Sequence, residues 1–144
     1  MPTETDPWLR VTVDVPGVTP SDVVGAFLDP AAVRRWWGGA ELTVEPEIGG
    51  RYVAYFDRLG QTMRGVVTDL DQATGRFGFS WSWDHAPDLP ARRVDVNVDA
   101  GAVLRLAQGD YDQNSRIDRD EARSHRDGWE FFLPRLAEVV TEQR

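Results

Sequence analysis

Arg76-Phe77-Gly78-Phe79-Ser80-Trp81-Ser82-Trp83 carries an aromatic ring at every second position. Successive side chains of a β-strand point to opposite faces, so Phe77, Phe79, Trp81 and Trp83 share one face of a strand. A strand with so large an apolar face has to bury it. Outward from this stretch the two-residue alternation recurs in short segments separated by turn residues, which is the pattern of an antiparallel sheet or barrel. The predicted strands are Ala40 to Glu45, Arg51 to Phe56, Gln61 to Leu70, Arg76 to Trp83, Arg92 to Val98 and Ala102 to Ala107. Gly49-Gly50, the region of Leu59-Gly60, Asp71 to Gly75, His85 to Pro90 and Asp99 to Gly101 supply the turns.

Before this block, Trp8 to Val15 alternates with Leu9, Val11, Val13 and Val15 on one side, a half-buried strand. Thr19-Pro20-Ser21-Asp22 then sets a hydroxyl cap, a proline at the first helical position and a carboxylate three residues past the cap, predicting a helix from Pro20 to about Leu28. Asp29-Pro30 repeats the signal for a second short helix ending at Gly38-Gly39. After the strands, Ala122, Trp129, Phe132, Leu133, Leu136, Val139 and Val140 form a helical stripe, with Asp118 and Glu121 as its expected capping pair. Gly128 and Pro134 interrupt it, and Pro134 predicts a kink near Glu130. The order β-α-α-β6-α describes one α+β domain over residues 1–144, whose terminal helix alone is long enough to cover the sheet.

The chain has 144 residues, no cysteine and a net charge of −8, and all 16 of its basic residues are arginine. Thiol chemistry, disulfides, Cys-based zinc sites, a Schiff-base lysine and a P-loop lysine are therefore excluded. With no basic run longer than Arg34-Arg35 or Arg92-Arg93, there is no clustered positive face for nucleic acid or an anionic membrane. No apolar run is long enough to span a bilayer, and MPTETDPW has neither the basic nor the apolar region of a signal peptide. The expectation is a cytoplasmic protein with a small apolar molecule or another protein as partner, and no cofactor.

Five strings in fixed order run through this framework: Arg35-Trp36-Trp37, Gly49-Gly50-Arg51-Tyr52, Gly65-Val66-Val67, Phe79-Ser80-Trp81-Ser82-Trp83 and His125-Arg126-Asp127-Gly128-Trp129. From about Val11 to Val140 the chain resembles the START-like (SRPBCC, Bet v 1-like) superfamily, in the branch named after the activator of Hsp90 ATPase. The resemblance implies a helix-grip fold, a curved seven-stranded antiparallel sheet around a long C-terminal helix with a cavity between them. It further implies hydrophobic ligands such as lipids, hormones or polyketides, with some members cyclising polyketides and a few sequestering enediyne products as self-resistance proteins. The branch name adds a cochaperone alternative.

For a hydrophobic, polycyclic ligand the expected contacts are Trp37, Phe79, Trp81, Trp83 and Trp129, since a chain of this size has limited core room for so many large rings. Polar anchors are sought in Tyr52 or Tyr55, whichever parity faces inward, and in Arg64, Ser80 or Ser82. The cyclase or aromatase alternative would use His125, Tyr55 or Arg64 as acid, base or carbonyl polariser. His125 lies one helical turn before Trp129, where packing or hydrogen bonding is its expected role, and His85 reads as a turn residue. A separate pattern, Asp110, Asp112, Asn114, Asp118 and Glu121, places oxygen donors at positions 1, 3, 5, 9 and 12 of an EF-hand calcium loop. Against it stand Ser115 where the loop needs glycine and a strand in place of the entering helix.

Overall fold

The computed structural model describes residues 6–142. Its strands are β1 (Leu9–Asp14), β2 (Glu41–Val44), β3 (Arg51–Phe56), β4 (Gln61–Asp71), β5 (Arg76–Trp83), β6 (Arg92–Val98) and β7 (Val103–Gly109), and its helices α1 (Pro20–Leu28), α2 (Pro30–Trp36) and α3 (Arg116–Glu142). The strands form one antiparallel sheet in the order β1-β7-β6-β5-β4-β3-β2. This curved sheet around the long terminal helix is the helix-grip fold expected from the sequence.

The short helices are set by their caps. Thr19 Oγ1 accepts from Asp22 N at 3.1 Å while the Asp22 carboxylate accepts from Thr19 N at 3.3 Å, a reciprocal capping box before Pro20. Asp29 Oδ1 accepts from Ala31 N at 3.0 Å and starts α2. A helix ends with carbonyls that lack intrahelical donors. Here the Ala26 carbonyl takes the Trp36 indole N–H at 2.9 Å and the Phe27 carbonyl takes the Tyr52 hydroxyl at 2.7 Å. These two buried bonds fasten the end of α1 to α2 and to β3.

On α3 the buried residues Trp129, Leu133, Leu136 and Val140 recur at helical spacing and face the sheet, and Pro134 lies inside the helix without ending it. The cap differs from expectation. Ser115 Oγ accepts from Asp118 N at 3.3 Å and the Ser115 carbonyl accepts from Arg119 N at 3.0 Å, so Ser115 caps the helix, not Asp118. Strand β7 also continues past the predicted Ala107, which carries Gln108 into the sheet's buried face.

The close approach of β4 to β5 depends on Gly65. A Cβ there would lie 1.8 Å from the Ser80 carbonyl oxygen, and Val66 N donates to Ser80 Oγ at 2.9 Å instead of to the ladder. The register shifts between Val67 and Asp69, an irregularity of the kind that bends a sheet.

Candidate functional site

The alternation of β5 is realised in space. Phe77, Phe79 and Trp81 are 1%, 0% and 6% exposed, and half-buried Trp83 continues the row toward the strand's end. Phe77 and Phe79 close the inner part of the core, where Tyr52 packs against both at centroid distances of 5.3 and 4.5 Å. Farther along, Trp81 sits 5.3 Å from Trp83, 5.9 Å from Trp129 and 5.1 Å from His125. Trp37, just past the end of α2, lies 5.2 Å from Trp129.

Beyond these rings the packing opens into a cavity of about 420 Å³, within the range of small-molecule sites. Its walls are the indoles of Trp37, Trp81, Trp83 and Trp129 with Phe56 and Phe132, while Arg58 and Leu59 of the β3–β4 turn, Gly38, Ser124, His125 and Gly128 complete the lining. Leu59 is 62% exposed, a large apolar side chain at the rim. Among the described residues Arg58 has no carboxylate or hydrogen-bond partner, so its cation is available there.

The α3 wall is held by polar contacts. Trp129 Nε1 donates to Gln108 Oε1 at 2.7 Å, a buried bond from α3 to β7. His125 Nδ1 meets the Tyr111 hydroxyl at 2.7 Å. Tyr111 in turn has the Arg92 guanidinium 4.4 Å from its ring centroid. Arg92, whose side chain is 2% exposed, donates to Glu121 Oε1 at 2.7 Å, to Asp118 Oδ1 at 3.1 Å and to the Asp110 carbonyl. Burial, aided by the Arg92 charge, pushes the His125 pKa down to about 4, so the ring is neutral near pH 7. Burial raises the Tyr111 pKa, and the phenol keeps its proton. Two buried polar atoms are left over among the described residues: Trp81 Nε1–H and Gln108 Nε2 have no acceptor.

The structure therefore brings Trp37, Trp81, Trp83, Trp129 and His125 together around the cavity, and places Phe79 behind the wall in the core. It corrects the polar anchors. Tyr55 is 37% exposed, and Arg64 pairs with Asp84 through hydrogen bonds of 3.1 and 2.9 Å on the opposite face of the sheet. The cause is parity. Tyr52, Ala54 and Phe56 of β3 are the inward residues, so Tyr55 points out, and Arg64 is opposite Ser82 in the register. Ser80 and Ser82 lie between the inward rings of β5 and face outward as well. Tyr52 is inward and fully buried, bonded to the Phe27 carbonyl and absent from the cavity lining.

Oxygen donors of the EF-hand-like pattern have other partners in the structure. Asp118 and Glu121 are committed to Arg92, Asp118 Oδ2 accepts from Asp112 N at 2.7 Å, and Asp112 Oδ1 accepts from Asn114 N at 2.9 Å. Among the described residues no group of three or more His, Cys, Asp or Glu side chains is arranged to hold a metal ion, Asp110 included. The loop's carboxylates hold an internal arginine. Sequence reading missed Arg92, Gln108 and Tyr111. The first two were detectable as polar residues at inward positions of otherwise apolar alternations, Arg92 with Val94, Val96 and Val98, Gln108 with Leu104 and Leu106.

Known structures share this architecture. A crystal structure of a Mesorhizobium loti protein superposes with a TM-score of 0.79 at 16% identity, covering 95% of this chain and 98% of that one. A Chromobacterium violaceum protein gives 0.69 at 23% identity, with 94% and 98% covered. The solution structure of the Aha1 dimer from Colwellia psychrerythraea gives 0.67 at 12% identity, with 92% and 93% covered. At these identities the likeness concerns the fold. No curated protein matches the sequence. No helix among the described residues is long and apolar enough to cross a membrane. The sequence model for Activator of Hsp90 ATPase homolog 1-like proteins matches residues 17–141, and the chain belongs to that family.

Proposed function

We propose that this protein binds a flat, hydrophobic small molecule of polycyclic or polyketide-like character in the cavity between β5, the β3–β4 turn and α3. The observation that carries the reading is the wall of four indoles and two phenyl rings around about 420 Å³ of accessible space. Binding would draw on buried apolar area at roughly 25 cal/mol per Å², offset by the cost of ordering the ligand. The Arg58 cation at the rim, unpaired among the described residues, favours an anionic substituent over a cationic one. If the ligand is a reactive natural product, the same enclosure serves to sequester it, as in a self-resistance protein.

Binding is favoured over cyclase chemistry because, of the three acid-base candidates, only His125 reaches the cavity, and among the described residues the lining offers no carboxylate, phenol or second imidazole to move a proton with it. The test is a thermal-shift series with planar polycyclic compounds. A ligand at 100 times its Kd should add about 2.7 kcal/mol to stability. A dose-dependent rise confined to flat aromatics supports the reading. Unshifted midpoints across a chemically broad panel overturn it and bring protein partners forward.

A further inference from the structure

We propose that the cavity selects a planar ligand bearing a carbonyl or quinone oxygen, and that His125 Nε2–H donates to that oxygen. The inference rests on the binding reading above and supplies the polar half of the recognition.

The direction of one hydrogen bond carries it. Tyr111 is 1% exposed, and among the described residues its hydroxyl has a single partner, His125 Nδ1 at 2.7 Å. If Nδ1 carried the imidazole proton, the phenol proton would be buried with no acceptor, at a cost of about 1–3 kcal/mol. The phenol therefore donates, Nδ1 accepts, and the neutral ring carries its proton on Nε2. Nε2 has no partner among the described residues, yet it is not among the buried atoms that lack one, so this edge of the ring remains accessible. His125 lines the cavity, which gives that N–H a direction of use.

The remaining polar lining is biased the same way. Indole and guanidinium nitrogens only donate, and Ser124 contributes the one hydroxyl of the wall. Trp81 Nε1–H also lacks an acceptor, but it is buried within the wall and does not face a ligand. A pure hydrocarbon would leave the donors that face the cavity unanswered, and a ligand ammonium would meet donor with donor. A carbonyl oxygen answers them.

The donor is also fixed in place before any ligand arrives. Tyr111 is packed on Arg92, and Arg92 is held by Glu121, Asp118 and the Asp110 carbonyl. Little ordering remains to be done at this point of the site.

Fluorene and 9-fluorenone, which differ by a methylene against a carbonyl in the same three-ring plane, test the proposal by titration against the full chain. The ratio of the two Kd values should favour the ketone in the native protein by about 3- to 10-fold more than in His125→Phe, the worth of one neutral hydrogen bond. Tyr111→Phe, which frees the tautomer, should reduce the ratio partway. A long-range 1H–15N spectrum of the unsubstituted protein should show Nε2 protonated and Nδ1 bare, a readout independent of how the variants fold. An unchanged ratio in His125→Phe, or an Nδ1–H tautomer, overturns the inference while both compounds still bind and the binding reading stands. Failure of both compounds to bind overturns the two together.

Discussion

The Tyr111 hydroxyl and His125 Nδ1 meet at 2.7 Å, linking the loop before α3 to the cavity wall on α3 itself. Behind that bond stands a buried arginine: Arg92 stacks on Tyr111 and spends its other donors on Glu121, Asp118 and the Asp110 carbonyl. Loop, helix start and pocket wall are thus one connected polar unit inside an apolar core.

Arg92→Leu should expose the weight of that unit. Removing one member of a buried ion pair leaves carboxylates without compensation and costs about 3–5 kcal/mol. Arg92→Lys should recover only part of the loss, because an ammonium lacks the planar fork that reaches both carboxylates. Urea denaturation of the three proteins checks the order.

Stability should fall as pH drops from about 6.5 toward 4. His125 titrates at about 4 in the fold and near 6.5 when unfolded, so the unfolded chain holds more protons throughout that window. The stabilisation is complete above the unfolded pKa and disappears as pH falls through the folded one. The shift corresponds to on the order of 3 kcal/mol. Arg92, Tyr111, Asp118 and Glu121 make up the polar surroundings, and the arginine acts with burial against protonation. The thermal midpoint of the native protein should fall relative to that of His125→Phe as pH drops from about 6.5 to 4, because only the native chain carries the titrating ring. Parallel curves across the window would contradict the assignment.

Phe79 and Trp83 occupy the same strand face and should respond differently. Phe79 is fully buried and absent from the cavity lining, so Phe79→Ala should destabilise by about 3–5 kcal/mol. Trp83 is half-buried and lines the cavity, so Trp83→Ala should cost less stability and weaken a flat aromatic probe by about 10-fold, or 1.4 kcal/mol. Denaturation and probe titration of both variants separate the two roles.

On the outer face, Arg64→Ala and Tyr55→Ala should leave probe affinity unchanged and alter stability by no more than about 0.5 to 1 kcal/mol. Side-chain exposure of 58% and 45% in the Arg64–Asp84 pair puts it among weak surface ion pairs.

Element order and most boundaries were legible in the sequence because caps and alternation are local signals. Thr19-Pro20 and Asp29-Pro30 mark both short helices, and the rings of β5 announce the buried face. Of the four rings on that face, Trp81 and Trp83 line the cavity while Phe77 and Phe79 close the core behind it, a division that alternation alone does not make. Tyr55 and Arg64 were misplaced because alternation separates two faces without saying which is inside. That choice belongs to the pairing of β3 with β4 and of β4 with β5. The acidic run from Asp110 to Glu121 looked like a cation loop because its cation is Arg92, which comes from a distant strand.

The six tryptophans offer the most direct test of the central claim. Indole N–H signals in a 1H–15N spectrum are to be followed while 9-fluorenone is titrated into the protein. The cavity account predicts that Trp37, Trp81, Trp83 and Trp129 shift saturably, while Trp36, bonded to the Ala26 carbonyl, and Trp8, outside the lining, stay in place. Six unmoved signals, or movement confined to Trp8 and Trp36, would contradict a ligand site in this cavity.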